Sequence, residues 1–167
     1  KLLDDSYHFW YIGKSYYDST LGDYPLGMDH IKEYARRSIF YFGQYLNFKH
    51  DYQKTGQANG FDELAYFALY AMGDMNKLCG NYERALDCGM RAEEFAPPRN
   101  EHIVLLAECY KDLQDYDSMK MQTDRLMNPE RKLPFPQFNF LLNMEHYNDS
   151  GAYCNQLHEI ALSNINN

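Results

Sequence analysis

Two carboxylate pairs, Asp4-Asp5 and Glu93-Glu94, carry the groups that general acid–base catalysis uses. That chemistry needs both carboxylates on one substrate, and adjacent residues of a helix point to different faces. Both pairs therefore read as solvated surface. Six histidines, His8, His30, His50, His102, His146 and His158, include no two at i, i+4 and no His-Glu-x-x-His run. A metal set would have to be assembled by the fold, and no metal or cofactor is implied locally. Cys79, Cys88, Cys109 and Cys154 form no Cys-x-x-Cys pair. Cys79 and Cys109 fall on an apolar helical stripe, where thiols act as packing residues and not nucleophiles. Free thiols of a reducing compartment are expected, hence a cytoplasmic location. No Gly-rich phosphate loop follows a strand.

Composition narrows the class further. With 167 residues and 45% hydrophobic side chains, the chain can bury a core as a single domain over 1–167. A formal net charge of −8 with scattered Lys and Arg argues against nucleic acid, which needs concentrated positive charge. No run of 18 apolar residues is present, so no transmembrane helix is expected. One glycosylation-type triplet, Asn148-Asp149-Ser150, is weak evidence for secretion. The chain opens on Lys1 and reads as a piece of something longer or a trimmed protein. The 16 Tyr, 10 Phe and 1 Trp suit cores and binding faces alike.

The elements that must position any site repeat along the chain. Gly80-Asn81-Tyr82 aligns with Gln114-Asp115-Tyr116 at an offset of 34 residues. At that offset Gly73 meets Ala107, Asn76 meets Tyr110, Cys79 meets Leu113 and Ala92 meets Leu126. Ala65, Leu69, Met72, Gly73 and Asn76 share one helix face, repeated by Leu105, Leu106, Cys109, Tyr110 and Leu113. Gly73 and Ala85 are expected where paired helices approach closely. Pro97 and Pro129 close the two units. An earlier, degenerate unit places Ile12, Gly13 and Tyr16 as Met72, Gly73 and Asn76 are placed, with a long second helix from Asp29 to Phe48. Asp62 is a plausible cap for the next helix. Pro134 and Pro136 force an extended connector before two closing helices. Units of about 5–53, 61–97 and 100–129 with closing helices at about 137–165 make an all-α chain of seven to eight helices, without β-strand alternation.

The 34-residue hairpin with Gly or Ala, Tyr and a terminal Pro resembles the tetratricopeptide repeat, which implies a right-handed superhelix of antiparallel helix hairpins. Leu69 and Ile103 fill the usual Trp position, and Met119 replaces the small residue that Ala85 supplies. A narrower resemblance covers roughly the whole chain. Gly60, Phe61, Glu63, Tyr70, Gly73, Gly80, Tyr82, Ala85, Ala92, Pro97, Arg99, Glu101, Leu106, Ala107, Tyr110, Tyr116, Pro134 and Pro136 match the helical repeat region that follows the catalytic domain in some bacterial and viral family-2-like glycosyltransferases. Asp62 and Gln114 depart from that pattern. The resemblance implies an accessory domain and not the transferase activity itself.

Stacked hairpins curve, and the first helix of each lines the inner face. The binding residues expected there are Tyr7, Trp10, Lys14, Tyr17, Phe67, Tyr70, Asp74, Lys77, Glu108 and Lys111, with Asp18, Glu101, Val104 and Asp112 in the same register. Such a surface suits a peptide segment or a glycan stacked on Trp10 and Tyr70. Equally, a short solenoid can use these aromatics to close its own core. The expected function is a non-catalytic scaffold attached to a glycosyltransferase, positioning an acceptor, a protein partner or its own catalytic domain. The alternative is a free-standing adaptor that binds a peptide.

Overall fold

A computed structural model describes residues 2–22, 27–53, 62–95, 99–130 and 150–165, with seven helices and no strand among them. These are α1 (Leu2–Leu21), α2 (Met28–Gln53), α3 (Glu63–Leu78), α4 (Tyr82–Glu93), α5 (Glu101–Asp112), α6 (Tyr116–Leu126) and α7 (Ser150–Ile165). The second helix runs past Phe48 to Gln53, beyond the expected end. The polar linker, Pro97, the connector with Pro134 and Pro136, and the first expected closing helix lie outside the described residues.

Local chemistry sets the ends. Asp62 caps α3 by accepting from the Ala65 amide at 2.9 Å, and Asp115 caps α6 by accepting from Ser118 N at 3.1 Å. At the C-terminal ends of α3 and α5 the same turn occurs twice. Gly80 sits at φ 79° and Gln114 at φ 59°. Asn81 N donates to Asn76 O at 2.8 Å, and Asp115 N donates to Tyr110 O at 2.9 Å. This six-to-one bond, with a left-handed residue just before it, satisfies carbonyls that the helix end leaves open. The 34-residue offset is thus a repeat of backbone geometry as well as of residue type.

Neighbouring helices pack in sequence: α1 on α2, α2 on α3, and so on to α6 on α7. Alternate helices also touch, α1 with α3, α3 with α5 and α5 with α7. This pattern is consistent with a helical repeat. The central helices α3 and α5 are buried on nearly all sides, whereas α4 and α6 bury one face. Both members of each equivalent pair are buried: Leu69 and Ile103, Ala85 and Met119, Ala92 and Leu126. Gly73 lies at the seam of three helices, where an added Cβ would meet Leu105 Cδ2 at 2.5 Å and Ala85 O at 3.3 Å. Ala107, its equivalent, is wholly buried against α6 and α7 residues such as Met119 and Leu157. One wall of α5, with Leu105 and Cys109, closes the aromatic core of α1–α4. The other, with Ile103, Val104 and Ala107, closes the core under α6 and α7.

Candidate functional site

The helices α1, α3, α5 and α7 each contribute a polar side chain to one line through the molecule. Tyr17 Oη donates to Asp74 Oδ2 at 2.9 Å. Lys77 Nζ stands 3.8 Å from Asp74 Oδ1 and donates to Glu108 Oε2. Tyr153 Oη donates to the other oxygen of Glu108. Burial raises the Asp74 carboxyl above the ordinary range, against the pull of Lys77. Burial would raise Glu108 as well, but the Lys77 ammonium and the bonds from Lys77 and Tyr153 outweigh it and hold Glu108 below the usual carboxylate range. Burial alone would lower Lys77, and its two acidic neighbours more than reverse this. Tyr17 is raised by burial and then by Asp74, so it remains a hydroxyl donor. The arrangement is a part-buried ion pair whose charges are held by hydrogen bonds between four helices.

The ten expected binding residues separate into three groups. Trp10, Tyr17, Phe67 and Tyr70 lie in the core. Trp10 is 8% exposed, and its Nε1 donates to Leu64 O at 3.1 Å while its ring packs on Phe42 and Phe67. A glycan stacked on Trp10 and Tyr70 has no access to these faces, because the aromatic rings of α1 and α3 fill the gap between the helices. Asp74, Lys77 and Glu108 form the part-buried polar line. Tyr7, at 41% exposure, and the partly buried Lys14 and Lys111 reach the surface.

Lys14 leads to the open part of the molecule. Tyr11, Lys14, Ser15, Asp18, Ser19 and Gly22 of the α1 segment, with Tyr34 of α2, line a cleft of about 740 Å³. Lys14 Nζ bonds to Asp18 Oδ2 at 2.5 Å. Asp18 Oδ1 is shielded from solvent and has no hydrogen-bond partner among the described residues. Ser19 Oγ donates back to Ser15 O at 2.8 Å. Tyr34 is fixed against Tyr16 at 5.7 Å between centroids. The expected inner face contained Lys14 and Asp18 and missed Tyr11, Ser15, Ser19 and Tyr34. The signal was present: Tyr11, Ser15, Asp18 and Gly22 follow i, i+4, i+7, i+11. A stripe sought among apolar residues passes over this polar one.

A second polar cluster closes the opposite end of α5. Tyr66 Oη donates to Glu101 Oε2 at 2.9 Å and lies 3.2 Å from His102 Nδ1. Arg99 bonds to Glu63 Oε1 at 2.6 Å and stands 3.8 Å from Glu101 Oε1. Glu63, Arg99 and Glu101, three positions of the family-like run, thus meet around one buried tyrosine, where their charges offset one another. One Asp-x-Asp triplet is present, Asp115-Tyr116-Asp117. Here the Asp115 carboxylate is spent on the α6 cap, and its bonds to Ser118 keep it below the ordinary range. Among the described residues no three His, Cys, Asp or Glu side chains gather as a metal site. All four cysteines are free. Burial pushes the Cys88 and Cys154 thiols up to about 11 and Cys109 up to about 12, so these stay protonated and unreactive near neutrality. No described helix is long and apolar enough to cross a membrane.

Compared with protein-family models, curated proteins and solved structures, the chain matches none.

Proposed function

We propose that this chain is a tetratricopeptide-like module, its hairpins stacked as a right-handed superhelix, that works by holding a partner and not by catalysis. In this reading it is the accessory C-terminal part of a cytoplasmic glycosyltransferase and positions an acceptor or a protein partner for the catalytic domain. The matching turns at Gly80 and Gln114 support the repeat. The run of family-like residues from Gly60 to Pro136 supports the link to a glycosyltransferase. The observation that carries the binding role is the α1 cleft. Tyr11, two serines and an ion pair of α1 meet solvent there beside Tyr34 of α2, and the other face of α1 is anchored by Trp10 and Tyr17. A contact surface on a rigid element loses little conformational freedom on binding.

The test has two arms. The reading frame upstream is expected to encode a nucleotide-sugar domain; a frame that opens with this chain favours the free-standing peptide adaptor. In the joined protein, Tyr11→Ala is expected to raise the acceptor KM several-fold while leaving donor hydrolysis unchanged. An unmoved acceptor KM overturns the reading.

A further inference from the structure

We infer that the α1 cleft takes a neutral, hydroxyl-rich ligand, a short oligosaccharide, which docks through Asp18, Lys14 and the rings of Tyr11 and Tyr34. This rests on the reading of α1 as the contact surface and goes on to name what that surface recognises.

The charges decide the class. The cleft holds one ammonium and one carboxylate, 2.5 Å apart, so they cancel locally. A lysine or arginine from a peptide would compete with Lys14 for Asp18. A phosphate or sulfate would compete with Asp18 for Lys14. Either would leave one member of the pair facing a like charge, which is unfavourable. A hydroxyl avoids both problems, because it donates and accepts at once. Its proton can go to Asp18 Oδ2, on a side chain that is 42% exposed, while its oxygen accepts from the Lys14 ammonium.

The rings supply the rest. Tyr11 is 65% exposed, and Tyr34 is held by Tyr16. The electron-rich face of a tyrosine attracts the weakly positive C–H face of a sugar ring. Ser15 and Ser19 add hydroxyl oxygens along the same side of α1. At about 740 Å³ the cleft falls in the range of small-ligand sites.

The chain should be applied to an array of neutral, sialylated and sulfated glycans, with an arginine-rich hexapeptide as a separate titration. Neutral glycans are expected to bind, followed by calorimetry or amide chemical shifts. Tyr11→Ala and Asp18→Asn should each weaken binding about tenfold. Met121→Ala, exposed on α6 and outside the cleft, should leave it unchanged. Since Tyr11 is mostly solvated, its loss leaves the fold intact, which circular dichroism checks. Binding confined to anionic glycans or to the peptide, still dependent on Tyr11, overturns the ligand class and keeps α1 as the contact surface. Silence across all neutral glycans also overturns the ligand class. Neutral-glycan binding indifferent to both substitutions overturns the site as well.

Discussion

Asp74 and Glu108, 34 residues apart and on adjacent inner helices, each accept a tyrosine hydroxyl from a further helix and share the ammonium of Lys77. The two carboxylates are repeat equivalents in opposite electrostatic states. Glu108 is favoured as an anion, and Asp74 is penalised as one.

Removing their charges therefore has opposite effects. Glu108→Gln leaves Lys77 with only the more distant Asp74, and should cost about 3 kcal/mol, the lower end for one-sided loss of a buried pair. The lower end applies because the Lys77 and Glu108 side chains retain 22% and 18% exposure. Asp74→Asn keeps an acceptor for Tyr17 and removes a buried charge, so it should be neutral or stabilising at pH 7. Urea unfolding of both variants separates these outcomes.

The same pair sets the acid limb. Glu108 has a folded pKa below its unfolded value, so its contribution is present above the ordinary carboxylate range and lost as pH falls through the folded value. Asp74 is raised, so its contribution is present at low pH and lost as pH rises through its folded value. Asp74→Asn should therefore steepen the loss of stability as pH falls from neutrality through the carboxylate range, and Glu108→Gln should flatten it. Parallel limbs in the two variants would contradict the assignment.

Two helical glycines should respond differently to the same substitution. At Gly73 a methyl would press on Leu105 and on the Ala85 carbonyl, so Gly73→Ala should cost about 1–3 kcal/mol by overpacking. At Gly43 the nearest atom is Met72 Cε at 4.0 Å. Gly43→Ala should gain about 0.5–1 kcal/mol from helix propensity. Equal effects would argue that Gly73 is not at the seam.

The turns make a reciprocal pair. Gln114 holds a left-handed backbone at a cost of about 1 kcal/mol that glycine avoids. Gln114→Gly should recover about that amount. Gly80→Ala should lose about as much, through the backbone alone, because nothing lies within 4 Å of the added methyl. Thermal melts of both variants check the sign.

Trp10→Ala should cost about 3–5 kcal/mol, as for a large core side chain, and Tyr70→Ala should also unfold the protein readily. Little loss of melting temperature with a selective binding defect would mean that these rings face a ligand after all.

Much of the architecture could be read from local pattern. The cap at Asp62, the turns at Gly80 and Gln114, and the tight seam at Gly73 follow from backbone and steric rules that act within a few residues. The binding surface was less legible. The stripe Tyr7, Trp10, Lys14, Tyr17 was correctly periodic, but periodicity assigns residues to a face without saying what covers that face. Rotating one step around α1 exchanges Trp10 for Tyr11, and the core for solvent.

The sequence by itself determined the helices, their hairpin turns and the 34-residue register, because hydrogen bonding and side-chain period in a helix are local properties. Only the tertiary structure decided which polar residues are buried and which are open. Tyr17 meets Asp74 across 57 residues and Tyr153 meets Glu108 across 45. Such contacts depend on how whole helices pack, and packing of one helix against the next depends on the summed shape of both surfaces, which no short spacing encodes.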